Sequence, residues 1–234
     1  PMGMMYGFIY EGTYKYEDFD KVGDTYTLKR NVPYFSSESN TQPGMPKYAD
    51  LNGDGIIDDN DRTMIGNGMP KHTGGFTNNF EYKGFDLSIF FQWSYGNDVL
   101  NANRLFFENS NKTRDLNQYA SYADRWTPEN PESNIPRATD SGSNKVFSTR
   151  IIEDGSFLRL KTVSLGYTLP KQLTKKWKID NARVFVAGQN LWTCTGYSGY
   201  DPEVSIREGA LTPGLDFSAY PRAYSISFGI NLGF

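Results

Sequence analysis

The sequence predicts an all-β chain whose antiparallel strands form part of a transmembrane β-barrel with long extracellular loops. Three observations favour this fold class. The last eleven residues, 224–234, alternate between apolar and small or polar side chains. Residues 76–96 alternate in the same way around a short, glycine-containing turn. The segments between the predicted strands are alternately short and long, which is typical of outer-membrane barrels.

The composition suits strands that carry one aromatic face. Tyr and Phe number 16 each and aromatic residues make up 15% of the chain, whereas hydrophobic residues reach only 38%. In a barrel strand one half of the side chains faces lipid and the other half faces a polar lumen. The mean hydropathy of −0.60 is therefore compatible with a membrane protein. A helical span is not expected, because no run of about 18 apolar residues is present.

Charge and reactive residues exclude several functional classes. The formal charge is −3 and no Lys/Arg-rich run creates the electrostatic footprint that a nucleic-acid binder needs, so nucleic acid is not expected as a partner. The single cysteine, Cys194, cannot form an internal disulfide. We expect it to lie in a strand and to serve as a small apolar residue. The single histidine, His72, is expected in a Gly/Pro-rich turn. One Cys and one His exclude most nucleophilic triads, and we expect no enzyme.

Six strands follow from alternation along the chain. They are predicted at residues 4–14, 76–82, 85–96, 157–169, 182–193 and 224–234. The basic stretch 171–178 is expected to form one or two helical turns. The pattern of strand 182–193 does not indicate which residues share a face.

The last strand and the hairpin have the clearest patterns. In the last strand one face carries Tyr224, Ile226, Phe228, Ile230, Leu232 and Phe234. Its length matches the ~9–11 residues that a tilted strand needs to cross a bilayer, although a soluble sandwich strand would alternate in the same way. In the hairpin, Lys83 and Gly84 form a two-residue turn. Aromatic residues at both ends of its second strand resemble the girdles of a barrel.

Connection lengths support an up-and-down order. The connections at 83–84 and 170–181 are short, whereas those at 15–72, 97–150 and 195–219 are long. If successive strands run in opposite directions, all three long connections fall on the same side. Barrels of this kind have short periplasmic turns and long extracellular loops.

One loop contains a calcium-binding pattern. Residues 50–61 place Asp, Asn, Asp and Gly at loop positions one, three, five and six, and Gly55 permits the sharp turn. The expected ligands are the side chains of Asp50, Asn52, Asp54 and Asp61, the backbone carbonyl of Ile56, and Asp58 directly or through water. Asp61 replaces the usual Glu, and its shorter reach favours weaker coordination. An acidic turn without metal is the alternative.

Several motifs together resemble the C-terminal barrel region of SusC/RagA-type TonB-dependent transporters. They are YADLNGDG at 48–55, DDNDRT at 58–63, IGN at 65–67, PK at 70–71, TGGF at 73–76, FDLS at 85–88, YGND at 95–98, EDGSFLRLK at 153–161, GQNL at 188–191, GYDPE at 199–203 and YPR at 220–222. The resemblance extends over nearly the whole chain. It implies that residues 1–234 are the C-terminal part of a barrel of about 22 strands. The plug and the N-terminal strands would then lie outside this chain.

The resemblance also implies a function and partners. Such transporters import glycans or peptides across the outer membrane, are energised through TonB, and work with a SusD-like surface lipoprotein. TonB would be reached through the N-terminal region that this chain does not contain. The terminal Phe234 resembles the signal by which the barrel-assembly machinery recognises its substrates.

Two other classes remain open at the level of sequence. A soluble, calcium-stabilised carbohydrate-binding β-sandwich would explain the acidic loop and the aromatic residues of the long connections. Those residues, which could stack on sugars or pack within the loops, are Tyr119, Tyr122, Trp126, Tyr197 and Tyr200. A glycoside hydrolase would need two placed carboxylates, and nothing marks Asp201 and Glu203 as such a pair.

Overall fold

The computed structural model describes residues 3–109, 117–139, 146–203 and 212–234. The strands are β1 (Met4–Gly7), β2 (Tyr10–Thr13), β3 (Phe19–Val22), β4 (Thr25–Leu28), β5 (Tyr34–Phe35), β6 (Pro46–Tyr48), β7 (Ile56–Ile57), β8 (Thr63–Asn67), β9 (His72–Tyr82), β10 (Phe85–Tyr95), β11 (Asp98–Asn101), β12 (Ile152–Asp154), β13 (Phe157–Thr168), β14 (Asn181–Thr195), β15 (Leu215–Asp216) and β16 (Ser225–Gly233). The α-helices are α1 (Asn103–Phe107) and α2 (Lys171–Thr174). No helix in the described part of the chain is long and apolar enough to cross a membrane.

The described residues form two compact units. The sheet unit comprises residues 70–97, 154–203 and 220–234. The loop unit comprises the described residues within 3–69, 98–153 and 212–219. Each unit is described by itself below.

The sheet unit is built on five long strands in the order β16-β14-β13-β10-β9. Every neighbouring pair is antiparallel, and the order across the sheet follows the order along the chain. The strands contain 11, 11, 12, 15 and 9 residues from β9 to β16, lengths that suffice to cross a bilayer. The all-β, antiparallel prediction is confirmed, as are the hairpin and the strands at 157–169, 182–193 and 224–234.

The turn chemistry of the hairpin follows from its two central residues. Lys83 and Gly84 have φ angles of 48° and 89°, the left-handed pair that a tight hairpin turn requires. Glycine adopts this conformation without a steric penalty. Tyr82 and Phe85 are consequently paired directly across the hairpin.

Bulges interrupt the alternation in the middle of the sheet. The register between β10 and β13 shifts between Phe90 and Phe91, and that between β13 and β14 shifts between Leu160 and Thr162. An extra residue in one strand moves all later side chains to the other face. The bulges explain why Leu158 and Leu160 share a face with Val163. In a regular strand, even-numbered and odd-numbered residues would point to opposite faces.

The predicted grouping by side is confirmed for four of the five connections, the exception being 15–72, since the strand predicted before it is not part of this sheet. The β9–β10 and β13–β14 connections are the short ones, and they leave the same end of the sheet. The segments that join β10 to β13 and β14 to β16 are long and leave the opposite end.

The predicted barrel strand at 4–14 was wrong. This stretch forms two short strands in different sheets of the loop unit, where β1 pairs with β8 and β2 pairs with β6. Phe8 lies between them and packs with Tyr48 and Ile57 in a small core. Its aromatic alternation therefore reflects packing within the loop unit, and five long strands remain of the six predicted.

Short strands and small cores hold the loop unit together. β3 pairs with β4, and β5 runs parallel to β7. A second core contains Tyr14, Phe19 and Leu28. Much of the long connection at 15–72 thus consists of short paired strands.

Candidate functional site

The five-stranded sheet has one apolar face. Residues that pair directly across antiparallel strands point to the same side, so the register assigns each side chain to a face. The apolar face carries Phe76, Phe80, Tyr82, Phe85, Leu87, Ile89, Phe91, Trp93, Tyr95, Leu158, Leu160, Val163, Leu165, Tyr167, Val184, Val186, Trp192, Ile226, Phe228, Ile230 and Leu232. In strand β14 the register supplies the facing that its sequence pattern did not indicate.

Aromatic residues cluster at both ends of this face. At the short-turn end the rings of Phe85 and Tyr167 are 4.5 Å apart. At the opposite end the Trp93 indole N–H donates to His72 Nδ1 at 3.1 Å, and the His72 ring stacks on Tyr95. His72 is thus the first residue of β9 and belongs to an aromatic cluster, which corrects its expected position in a turn. Two aromatic bands bordering an aliphatic zone are typical of barrel strands.

Cys194 also belongs to the apolar face. It pairs with Leu158 across β13 and β14, and its thiol is free and exposed. The strand assignment is confirmed. The residue is not buried inside the sheet unit, however, because this face lacks a covering layer among the described residues.

The opposite face is polar and carries a cross-strand ion pair. Asp86 in β10 and Arg183 in β14 are two strands apart, yet the guanidinium contacts both carboxylate oxygens, with Nε to Oδ1 at 2.9 Å. Gly166 of β13 lies between them, and a Cβ there would come within 2.3 Å of Arg183 Nη2. The absence of a side chain at Gly166 is what allows this pair to span the middle strand.

A second ionic cluster lies beside the long-connection end of β13. Arg159 Nη2 contacts Asp201 Oδ1 at 2.5 Å, and its Nη1 contacts Glu203 at 3.2 Å. Arg222 closes the cluster through Glu203 Oε1 at 3.2 Å. Burial opposes ionisation of Asp201, but the Arg159 guanidinium and the amide N–H groups of Glu203 and Arg222 outweigh it and lower the pKa of Asp201. Asp201 and Glu203 thus tie the DPE motif to the sheet.

The first half of the acidic loop is an array of turns around its own carboxylates. Both oxygens of Asp50 accept backbone N–H bonds, from Gly53 at 2.7 Å and Gly55 at 2.8 Å. Asn52 Oδ1 accepts from the Asp54 amide, and Asp54 Oδ1 accepts from the Ile56 amide, each at 2.9 Å. Gly55 has a φ of 85°, as the calcium pattern expects of its sixth residue.

Asp61 closes the loop from its other end. It is fully buried, its Oδ1 accepts from the Leu51 amide at 2.8 Å, and its Oδ2 accepts from the Asp58 amide at 2.9 Å. Desolvation raises the pKa of Asp61, but the amide donors outweigh this effect and the net pKa is lowered. The Asn52 amide also donates to Asp61 Oδ1, at 3.3 Å. Asp61 therefore holds the two residues that directly follow Asp50.

The remaining predicted ligands lie at the rim of the loop. Asp58 is exposed and caps the following 3-10 turn by accepting from the Asn60 amide at 2.8 Å, and Ile56 begins β7. Among the described residues, no three His, Cys, Asp or Glu side chains are grouped as a metal site. The donors are all oxygens, which suits a hard cation such as Ca²⁺. Calcium binding stays a prediction.

Most of the aromatic residues named as possible sugar platforms pack within their own unit. Tyr122 and Tyr197 are buried, and Tyr119 packs against Phe107 with ring centres 5.4 Å apart. Tyr200 is 87% exposed and presents its ring to solvent. Of the five, Tyr200 alone has the open face that stacking on a sugar requires.

Trp126 is buried but forms one wall of an open pocket of about 440 Å³ in the loop unit. Tyr16 and Tyr26 form the facing part of its aromatic lining, with Tyr16 5.5 Å from Trp126 between ring centres. Arg137 lies over Trp126 and donates to Gln42 Oε1 at 3.2 Å. These residues are far apart in sequence, so no local motif could have identified the pocket.

Comparison with known proteins identifies the family. No protein-family model matches the chain. TonB-dependent receptor P3 of Formosa agariphila is 35% identical over 100% of this chain and 22% of its own length. TonB-dependent receptor P26 of the same organism is 39% identical over 82% of this chain and 20% of its own length. This chain belongs to the SusC/RagA-type TonB-dependent transporter family. It spans about a fifth of the length of these relatives.

The more distant relatives of the TonB-dependent family agree with this assignment. TonB-dependent receptor SusC of Bacteroides thetaiotaomicron is 28% identical over 84% of this chain and 18% of its own length. The solved structure of the RagAB peptide transporter covers 99% of this chain with a TM-score of 0.72 and 26% identity, and the match takes up 23% of that structure's chain. The similarity in three dimensions extends over both units.

The two faces of the sheet match those of transmembrane barrel strands, in which one side faces lipid and the other faces the lumen. The Asp86–Arg183 pair lies on the polar face, and the free thiol of Cys194 lies on the apolar face.

Proposed function

We propose that this chain is part of an outer-membrane importer that takes up glycans, oligosaccharides or peptides in a TonB-dependent step. The single observation that carries the proposal is the continuous apolar face of the sheet, in a chain related to TonB-dependent receptors over its whole length. Energisation by TonB is inferred from the relationship to TonB-dependent receptors. The chemistry of the chain is binding and gating, and no catalytic step is assigned to it.

The exposed apolar face favours a membrane location over a soluble β-sandwich. In the described residues Phe228 is 81% exposed, and Phe80, Ile226 and Ile230 are exposed as well. A sandwich would bury this face against a second sheet about 10 Å away. Fractionation of cells that make the full-length protein tests the location. Recovery of a folded protein in the soluble fraction, without detergent, would contradict it.

A SusD-like surface lipoprotein is the proposed partner. Support comes from the relationship to SusC and from the likeness to RagAB, whose name describes it as a peptide transporter. The test is affinity purification of the full-length protein from outer membranes in mild detergent, followed by identification of bound proteins. Recovery of a stoichiometric surface lipoprotein supports the proposal, and recovery of the transporter alone contradicts it.

The pocket beside Trp126 is the proposed substrate contact of the loop unit. Its volume lies in the range of small-ligand sites, about 300–1,000 Å³. Tyr16 and Tyr26 supply half-buried rings, and Gln42, Asp24 and Ser39 supply hydrogen-bonding groups beside them. Aromatic rings next to amide and carboxylate groups suit a sugar ring or a peptide backbone equally. Uptake of labelled oligosaccharide and labelled peptide by cells that carry Tyr26→Ala distinguishes the two substrates.

A structural calcium ion in loop 50–61 is also proposed. The support is the geometry of the loop. Asp50, Asn52 and Asp54 organise successive turns, Gly55 has a φ of 85°, and the buried Asp61 accepts from the Leu51 amide beside Asp50. Asp50, Asn52, Asp54, Asp58 and Asp61 would supply side-chain oxygens, and Ile56 a carbonyl. The ion would hold the loop closed and would take no part in transport chemistry.

A further inference from the structure

A basic segment joins β13 to β14 at the short-turn end of the sheet. It carries four lysines, Lys171, Lys175, Lys176 and Lys178, and no acidic residue lies between positions 169 and 179. All four are exposed. The chain as a whole has a net charge of −3, so this concentration of positive charge is a local feature.

Two large apolar side chains are exposed on the same segment. Leu173 is 47% exposed and Trp177 is 63% exposed, while Thr174 between them is buried. α2 continues into a 3-10 turn at Lys175–Trp177, and the segment ends at Lys178 with a φ of 56°. Residues four apart lie on one side of such a helical segment, so Leu173 and Trp177 are neighbours. An exposed Trp beside lysines is typical of a membrane interface.

The segment lies where the apolar face of the sheet ends. It starts directly after β13, whose Tyr167 packs against Phe85 in the aromatic band of this end. At its other end the Asp180 amide donates to the Gly233 carbonyl at 2.8 Å, next to the last strand. Its lysines and its Trp are therefore at the level where lipid tails give way to headgroups.

We propose that residues 171–178 form an interfacial anchor that binds anionic phospholipid headgroups of the periplasmic leaflet. The lysines contact the phosphates and the negatively charged headgroups, and Leu173 and Trp177 insert at the boundary between headgroups and acyl chains. This inference rests on the membrane location proposed above. Its consequence is a preference for phosphatidylglycerol over phosphatidylcholine at this edge of the barrel.

The test measures the affinity of the purified full-length transporter for the two lipids by native mass spectrometry. A K175Q/K176Q variant removes two exposed charges from the anchor, and a K21Q/R30Q variant removes two exposed charges from the loop unit as a matched control. We expect phosphatidylglycerol to bind roughly tenfold more weakly to K175Q/K176Q, because each lysine near an anionic surface contributes several-fold. Phosphatidylcholine binding should not change. K21Q/R30Q should bind both lipids like the unmodified transporter.

A Trp177→Ala variant separates the apolar part of the anchor from the charged part. We expect it to weaken the binding of both lipids while the preference for phosphatidylglycerol persists. Unchanged phosphatidylglycerol affinity in K175Q/K176Q, or an equal loss in K21Q/R30Q, would overturn the anchor and leave the membrane location standing. A transporter that fractionates as a soluble protein would overturn both.

Discussion

At the scale of single residues, Gly166 is a position where the sheet leaves no room for a side chain. A Cβ at this position would come within 2.3 Å of Arg183 Nη2 and 2.5 Å of Asp86 Oδ1. Arg183 and Asp86 form an ion pair over this spot, so any side chain must push the pair apart. The pair connects β10 and β14, two strands that are not neighbours in the sheet.

Gly166→Ala is therefore expected to separate the pair and to lower the melting temperature, because the cross-strand ion pair is lost. Gly233→Ala is the matched control, because its Cβ would meet nothing closer than 3.7 Å. Thermal unfolding of the full-length protein in detergent, followed by the gel shift of the folded barrel, measures both variants. Equal stability of the two would contradict the role of Gly166.

Asp61 is the residue on which the calcium proposal depends most. It is buried at the closing end of the loop, whereas Asp59 in the same loop is exposed and pairs with Arg62 at 3.0 Å. Calcium should raise the melting temperature of the full-length protein, since a ligand at about 100 times its Kd stabilises by about 2.7 kcal/mol. Asp61→Asn should abolish this response and Asp59→Asn should retain it. Calorimetry that detects no calcium binding at millimolar concentration in the unmodified protein would refute the proposal.

Asp201 stabilises the folded protein by an amount that depends on pH. Its pKa is lowered in the folded protein, so the stabilisation is complete above the ordinary aspartate pKa of about 4 and is lost as the pH falls through the lowered folded value. Asp201→Asn should reduce stability by about 3 kcal/mol at pH 7, because it leaves the buried Arg159 with one partner fewer. Melting temperatures of variant and unmodified protein should converge as the pH drops below 4. Parallel curves down to pH 2 would argue against this role.

At the scale of elements, the two faces of β16 are expected to tolerate a charged side chain differently. Phe228 points to the apolar side and pairs with Val186, while its neighbour Ser227 points to the polar side and pairs with Ala187. Phe228→Lys should cost about 2–4 kcal/mol in the assembled barrel, the range for a lysine on the lipid face near the midplane. Ser227→Lys should cost far less. Urea unfolding in lipid vesicles compares them, and an equal cost for both would contradict the assignment of faces.

The sequence predicted the strands of the five-stranded sheet, because their side chains alternate between its apolar and its polar face. β16 and the β9–β10 hairpin could be predicted because every second residue meets the same environment. Strand 182–193 could be placed but not oriented, because the apolar residues Phe185 and Ala187 lie on its polar face and blur the alternation. Residues 4–14 alternate as well, yet Phe8 packs in a local core. Alternation thus indicates a strand but not its partner.

The functional residues also divide into those that the sequence could identify and those that only the fold brings together. The acidic loop was recognisable because its ligands are consecutive in sequence. The pocket beside Trp126, the Asp86–Arg183 pair and the Arg159–Asp201 pair join residues that are distant in sequence, and only the fold brings them together. The burial of Tyr122 and Tyr197 could not be foreseen either, since an aromatic residue in a long loop serves packing and binding equally well.

At the scale of the whole molecule, the short and long connections leave opposite ends of a sheet whose strands suffice to cross a bilayer. The proposed importer would need that arrangement, because its long loops would meet substrate and partner outside the cell. The same arrangement would then place the basic segment 171–178 on the inner side. The outer position of the long loops and the inner position of segment 171–178 both depend on the sheet crossing the outer membrane.

Labelling of single cysteines in intact cells tests that claim most directly. Tyr200→Cys and Lys83→Cys are introduced separately into the full-length protein in a Cys194→Ser background, and both positions are exposed. A membrane-impermeant maleimide should label position 200 in intact cells and position 83 only after the outer membrane is permeabilised. Labelling of position 83 in intact cells to the same extent as position 200 would contradict a sheet that spans the membrane.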